Sequence, residues 1–153
     1  MPWSLVPALV VFAMLSVVLT VVDVRTHRLP DGIVLPGGGI VLALMASAAV
    51  VIGSPHRLAG IAGGAAAAFV VCLAVHLARP AAFGGGDVKL AGICGGVLGW
   101  VGPEAAASGI ALAFVAGGVA AAGTVAAGAR GTTIAFGPFL LLGTWARLLS
   151  GPW

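Results

Sequence analysis

The sequence predicts an all-α integral membrane protein, a six-transmembrane-helix bundle forming one domain over residues 1–153. Three observations carry that expectation. Of the 153 residues, 61% are hydrophobic. Only seven Lys or Arg and four Asp or Glu are present, 7% of the chain, against about 25% in an ordinary soluble domain. The apolar residues fall into six runs, most of them long enough to span a bilayer. So few charges cannot clothe a water-soluble globule of this size. A mean hydropathy of +1.20 excludes disorder. The net charge of +3, with no basic run, gives no footprint for nucleic acid. Twenty-five glycines without every-third spacing exclude collagen; in a membrane bundle they let helix backbones approach closely.

The first run, 3–22, has no basic region ahead of it and no small-x-small cleavage site, so it reads as a retained helix, not a signal peptide. The second run, 33–53, follows Pro30, and the third, 58–78, follows Pro55. The fourth, 87–101, is shorter than the roughly 20 residues a span needs and is preceded by Gly84-Gly85-Gly86. The fifth, 105–128, follows Pro103, and the sixth, 134–150, follows Gly128 and Gly131. The pairs Gly60/Gly64 and Gly92/Gly96 have the small-xxx-small spacing of close helix contacts. Cys72 and Cys94 lie inside apolar runs and form neither a CxxC pair nor a zinc set, which makes them small buried residues. His27, His56 and His76 are scattered without ligand spacing, so no metal and no cofactor is expected.

Basic residues in the joins set the orientation. With the N-terminus outside, Arg25, Arg28, Arg79, Lys89 and Arg130 are cytoplasmic, and Arg57 and Arg147 are external. Trp3, Trp100 and Trp153 then fall at the outer interface, with Trp145 deeper. Both termini are expected outside.

Carboxylates at membrane depth are costly and mark function. Asp23 closes the first helix and Asp87 opens the fourth, at similar depth on the cytoplasmic side. Asp31 lies in the first cytoplasmic loop and Glu104 in an outer one. Two aspartates at one depth suggest a dyad, which holds one proton between its members. One member can then take a proton from water while the other donates to a carbonyl oxygen, which is general acid–base hydrolysis. Each aspartate also has a plain structural reading: Asp23 as a partner of Arg25 or Arg28, and Asp87 as an acid favoured at a helix N-terminus. Gly84, Gly85 and Gly86 would let backbone or an extended substrate approach Asp87, or they form an ordinary flexible loop. Arg25 and Lys89, each two residues after an aspartate, can favour the ionised carboxylate or anchor the cytoplasmic side. Asp31 can hold its loop, meet a basic substrate segment, or be a solvated acid.

The motifs resemble those of the type IV prepilin peptidases, GxGD-type intramembrane aspartyl proteases related to preflagellin peptidases. Asp23-Val24-Arg25, Leu29-Pro30-Asp31 and Leu35-Pro36-Gly37 are similar to the family's D-x-R…(I/L)-P-(N/D)…L-P stretch. Gly84-Gly85-Gly86-Asp87-Val88-Lys89-Leu90 resembles GxGD-x-K-L, and Phe136-Gly137-Pro138-Phe139 resembles (P/A)-F-G-P-(F/A). The resemblance implies cleavage of the short basic leader of prepilins or pseudopilins at the cytoplasmic face of the bacterial inner membrane, in pilus assembly or protein secretion. It implies Asp23 and Asp87 as the catalytic pair, without a metal. Many relatives carry two CxxC pairs and N-methylate the product; with two cysteines, this chain looks like the short peptidase-only form found with Tad-type pili. The Phe136–Phe139 stretch reads as architectural, since Pro138 is tolerated near a helix start. Two other classes compete: a proton- or cation-coupled small transporter, and a non-catalytic subunit of a pilus assembly machine.

Overall fold

Prolines and glycines start and stop the helices. The computed structural model describes residues 2–80, 83–128 and 134–151; Arg130, Gly131 and Trp153 lie outside the described residues. After a 3-10 turn at Trp3–Leu5, six helices follow: α1 Val6–Thr26, α2 Asp31–Val51, α3 Pro55–Ala78, α4 Gly85–Gly99, α5 Pro103–Ala126 and α6 Gly137–Ser150. Proline occupies the first or second position of α1, α3, α5 and α6, where its missing N–H costs nothing and its fixed φ suits the helix. His27 closes α1 in the left-handed region at φ 51°, and its N–H donates to the Asp23 carbonyl at 2.8 Å.

Four of the six helices, α1 with its preceding turn, α2, α3 and α5, are long and apolar enough to cross a membrane. The other two are shorter than expected of a spanning helix: α4 has 15 residues and α6 has 14, about 21–23 Å at 1.5 Å per residue against a hydrocarbon core of about 30 Å. Both begin at the glycine steps of the candidate site.

The chain runs up and down. One end of the bundle joins α2 to α3 and α4 to α5, where the Arg57 guanidinium donates to the Trp100 carbonyl at 3.2 Å and lies 4.6 Å from the Trp100 ring centre. Trp100 is only 2% exposed. It packs inside the bundle under Arg57 and is not the exposed interfacial anchor the sequence suggested. Trp3, at 89% exposed, is free to play that part. Trp145 donates to the Ser16 hydroxyl at 3.1 Å and stacks on Phe12, tying α6 to α1.

α4 is the hub. Residues 90–100 are all buried, and the helix touches α2, α3, α5 and α6. Glycine makes this possible. A side chain at Gly60 or Gly64 of α3, or at Gly95 or Gly99 of α4, would run into the backbone carbonyl of the facing helix. The two backbones therefore touch through a four-glycine seam. Gly60/Gly64 behave as the sequence suggested. Their partners are Gly95 and Gly99, whereas Gly92 and Gly96 face Phe69, Ala65 and Leu42. The reason is rotational: 92 and 96 sit on the flank of α4, beside α3 side chains, and only 95 and 99 lie on the axis of contact.

Candidate active site

The opposite end of the bundle gathers the three aspartates, while Glu104 lies at the Trp100 end in the first turn of α5. Asp23 lies in the last turn of α1, 4% exposed. The α6 N-terminus ends against it: the Gly137 N–H donates to Asp23 Oδ2 at 2.9 Å. Gly137 is the first residue of α6 and Pro138 the second, so the Gly137 N–H has no acceptor within its own helix and sits at the positive end of the helix dipole. A carboxylate is its natural partner.

Asp87 is the third residue of α4, and its Oδ2 accepts the N–H of Gly84, the residue capping that helix, at 3.1 Å. Its Oδ1 is buried and, among the described residues, has no hydrogen-bond partner. Gly84 is thus the helix cap, and Gly85 and Gly86 are the first two residues of α4, so the triple glycine is a helix start and not a flexible loop. Gly86 serves close approach: a side chain there would lie 2.7 Å from Leu29 Cβ and 2.9 Å from the Leu29 carbonyl oxygen. Leu29 in turn lies beside Gly137, with Cδ1 3.3 Å from where a Gly137 side chain would begin. This one leucine, 9% exposed, spaces the α4 and α6 helix starts. Leu29 therefore links the helix start that holds Asp23 to the helix start that holds Asp87.

The remaining sequence candidates sort differently from expectation. Asp31 is not in a loop; it opens α2. Lys89 does not turn to Asp87; it forms an ion pair with Asp31 at 2.5 Å, joining α4 to α2. The turn of α4 separating 87 from 89 points the two side chains to different neighbours. Arg25 is exposed in the last turn of α1, and among the described residues no hydrogen bond or ion pair holds its side chain. His76 Nδ1 lies 2.6 Å from the Phe83 carbonyl; because a carbonyl only accepts, that nitrogen carries the proton. The same contact fixes the approach to Gly84. Among the described residues, no group of three or more His, Cys, Asp or Glu side chains could hold a metal ion.

Gly137 is the residue that sequence reasoning passed over, since Phe136–Phe139 was read as architectural. A signal was present: a Gly-Pro step at a helix start leaves one unpaired N–H, and Pro138 itself can donate none. Phe136 does act architecturally. It packs edge-on to Phe83 with ring centres 5.0 Å apart and tilts against Phe114 at 5.2 Å, so the residues just before Gly84 and Gly137 are held together.

Each carboxylate therefore has one oxygen fixed by a backbone N–H at a helix start, and Asp87 keeps one oxygen uncommitted. Such an arrangement can move protons to and from a third party. The fold and the site together define a membrane protein with two carboxylates, each held by a helix start, at one end of an apolar helical bundle.

Comparison with known families narrows this. The model of the type IV leader peptidase family matches residues 10–125, and the chain belongs to that family. The match takes in Asp23, Asp31, Gly84–Asp87 and Lys89 and stops before α6. No curated protein and no solved structure matches the chain.

Proposed function

We propose that this leader peptidase-type protein is an aspartic endopeptidase. It removes the short basic leader from prepilins or pseudopilins at the cytoplasmic face of a bacterial cytoplasmic membrane, cutting just ahead of the hydrophobic segment. The observation that carries this reading is the pair of helix starts holding Asp23 and Asp87: Gly137 N–H on one carboxylate and Gly84 N–H on the other. In the reaction, the ionised member of the pair takes a proton from water. The water oxygen adds to the scissile carbonyl carbon as the protonated member donates to the carbonyl oxygen. Collapse of the tetrahedral intermediate breaks the C–N bond, with a proton passing to the leaving amine. Two carboxylates supply every proton transfer, so no cofactor takes part.

The same proposal places all six helices within the bilayer, with both termini outside and the aspartate end toward the cytoplasm. α4 tolerates its short length because it is surrounded by protein, where neighbouring helices satisfy what lipid cannot; α6 packs one face on α1, α4 and α5 and leaves Leu142 and Leu149 exposed. Apart from the lipid bilayer, the partners are leader-bearing pilins; nucleic acid is not among them.

The test is cleavage of a prepilin-like peptide by the purified protein in detergent. Asp23→Asn and Asp87→Asn should each lose about 10²–10⁴-fold in rate while still inserting and folding. The double variant should be little worse than either single one, because the pair acts as a unit. If either variant keeps more than about a tenth of normal activity, its aspartate is not the acid or base described here.

A further inference from the structure

Between α3 and α5 the bundle surface is hollowed into an apolar groove of about 590 Å³. Its floor is Gly64 and Ile110, and its rims are the exposed small residues Gly63, Ala67, Ala107 and Ala111. The outward surface also carries large side chains, such as Val10, Met14 and Val17 on α1, Val70 and Leu77 on α3, and Val115 and Val119 on α5, whereas both walls of the groove are mostly Gly and Ala. Lipid tails fill gaps between large side chains without needing small ones, whereas a helix packs closely in a bilayer only where its neighbour presents Gly and Ala.

The groove also has a direction. It begins near Pro103 at the Trp100 end and runs along α3 to Val71, with Phe114 closing its far end. From Gly60 to Val71 the rise along α3 is about 16 Å, close to three helical turns. Phe114 stacks on Phe83 with ring centres 5.9 Å apart, and Phe83 immediately precedes Gly84, whose N–H holds Asp87. The groove thus runs from one end of the bundle to an aromatic contact that adjoins the Gly84 helix start, where Asp87 is held.

We infer that this α3–α5 groove receives the hydrophobic helix of the substrate, with the N-terminal end of that helix at Phe114 and the scissile bond delivered to Asp23 and Asp87. The inference rests on the proposed peptidase activity and deepens it. A leader joined to a transmembrane segment must be cut while that segment stays in the bilayer. An apolar, lipid-facing groove of small residues that ends at Phe114, one aromatic contact from the Gly84 helix start, meets that need. A second copy of this chain could also fill small-residue surfaces, but pairing of copies gives no reason for the groove to run toward the Gly84 helix start.

The experiment uses the full chain in lipid nanodiscs and a synthetic peptide with a basic leader and about 20 apolar residues, carrying one cysteine in its apolar segment. Gly63→Cys, and separately Ala67→Cys, should form a disulfide with the peptide. The unmodified chain should not, because Cys72 and Cys94 are both fully buried. Gly63 has nothing within 4 Å of where a side chain would begin, so Gly63→Leu fills the groove without disturbing α3. It should raise KM at least tenfold, with kcat changed less than KM. Crosslinks only between copies of the chain, or none at all, would overturn the inference, as would an unchanged KM in Gly63→Leu. If the peptide is captured at Gly63→Cys but never cut by the unmodified chain, the peptidase reading fails and the groove stands. If the peptide is cut but not captured, the groove fails and the peptidase stands.

Discussion

Gly137→Ala is the sharpest perturbation the structure offers, because it adds one carbon at the point where α6 meets Asp23. That carbon would lie 2.7 Å from Asp23 Oδ2 and 3.4 Å from its Cγ. The carboxylate must retreat by about 0.7 Å to reach ordinary contact, and misplacement of a reacting group by about 1 Å can cost on the order of 10²-fold in rate. The same retreat weakens the Gly137 N–H bond, and a hydrogen bond to a charged group is worth about 1.5–3 kcal/mol, or roughly 10- to 150-fold. Both routes give a loss near 100-fold in kcat/KM. Stability should change little, because α6 remains anchored by the buried Leu140, Leu141 and Leu148 and by the Trp145–Ser16 bond. The assay is peptide cleavage in detergent alongside thermal unfolding. Gly118→Ala is the control: Gly118 is an α5 glycine with nothing within 4 Å of an added carbon, and it should leave activity intact while adding up to about 1 kcal/mol of stability. If Gly137→Ala kept more than half of normal activity while folding normally, the Gly137 N–H would not be what positions Asp23.

Other consequences are as direct. Breaking the Lys89–Asp31 pair with Lys89→Ala or Asp31→Asn should cost no more than about 1 kcal/mol, since the side chains are 34% and 58% exposed; a double-variant cycle by thermal unfolding measures it, and activity should fall far less than in Gly137→Ala. Gly95→Leu, which forces a side chain against the Gly64 carbonyl and Ala68, should destabilise the bundle by about 3 kcal/mol or more, seen as loss of folded protein after detergent extraction. Single cysteines at Arg28 and Asp31 should resist a membrane-impermeant thiol reagent in intact cells, while one at Gly53 should react; the reverse pattern would invert the proposed orientation. Cys72 and Cys94, both buried, should stay silent throughout.

Composition alone pointed to apolar helices of membrane length, because a chain with this few charges cannot clothe a water-soluble globule, and four helices are long and apolar enough to cross a membrane. Helix boundaries were legible where a proline fixes the first turn, as at Pro55 and Pro103, since its missing N–H suits it to a helix start; Pro36, inside α2, marks no boundary. Asp23 and Asp87 stand out in the sequence because an acid at the edge of an apolar run is costly enough to need a reason, and the structure gives each a backbone N–H partner at a helix start. Helix lengths were less legible. The apolar character of 87–101 and 134–150 does not reveal where the backbone stops being helical, and that depends on the glycine steps at 84 and 137 finding partners in other helices.

Tertiary structure decided the partners. Lys89 could meet Asp87 or Asp31 by sequence, and only the rotation of α4 against α2 selects Asp31. Gly92/Gly96 and Gly95/Gly99 have the same spacing, and only the crossing of α3 over α4 selects the second pair. The Gly137 N–H could be recognised as unpaired from the Gly-Pro step, yet its acceptor lies 114 residues away and exists only once α1 and α6 pack side by side. Local chemistry along a chain states which groups need a partner, because an unpaired donor or a buried charge is costly wherever it occurs. Which partner answers is a property of helices meeting at one end of a bundle, where the distances that decide are set by packing between segments remote in sequence.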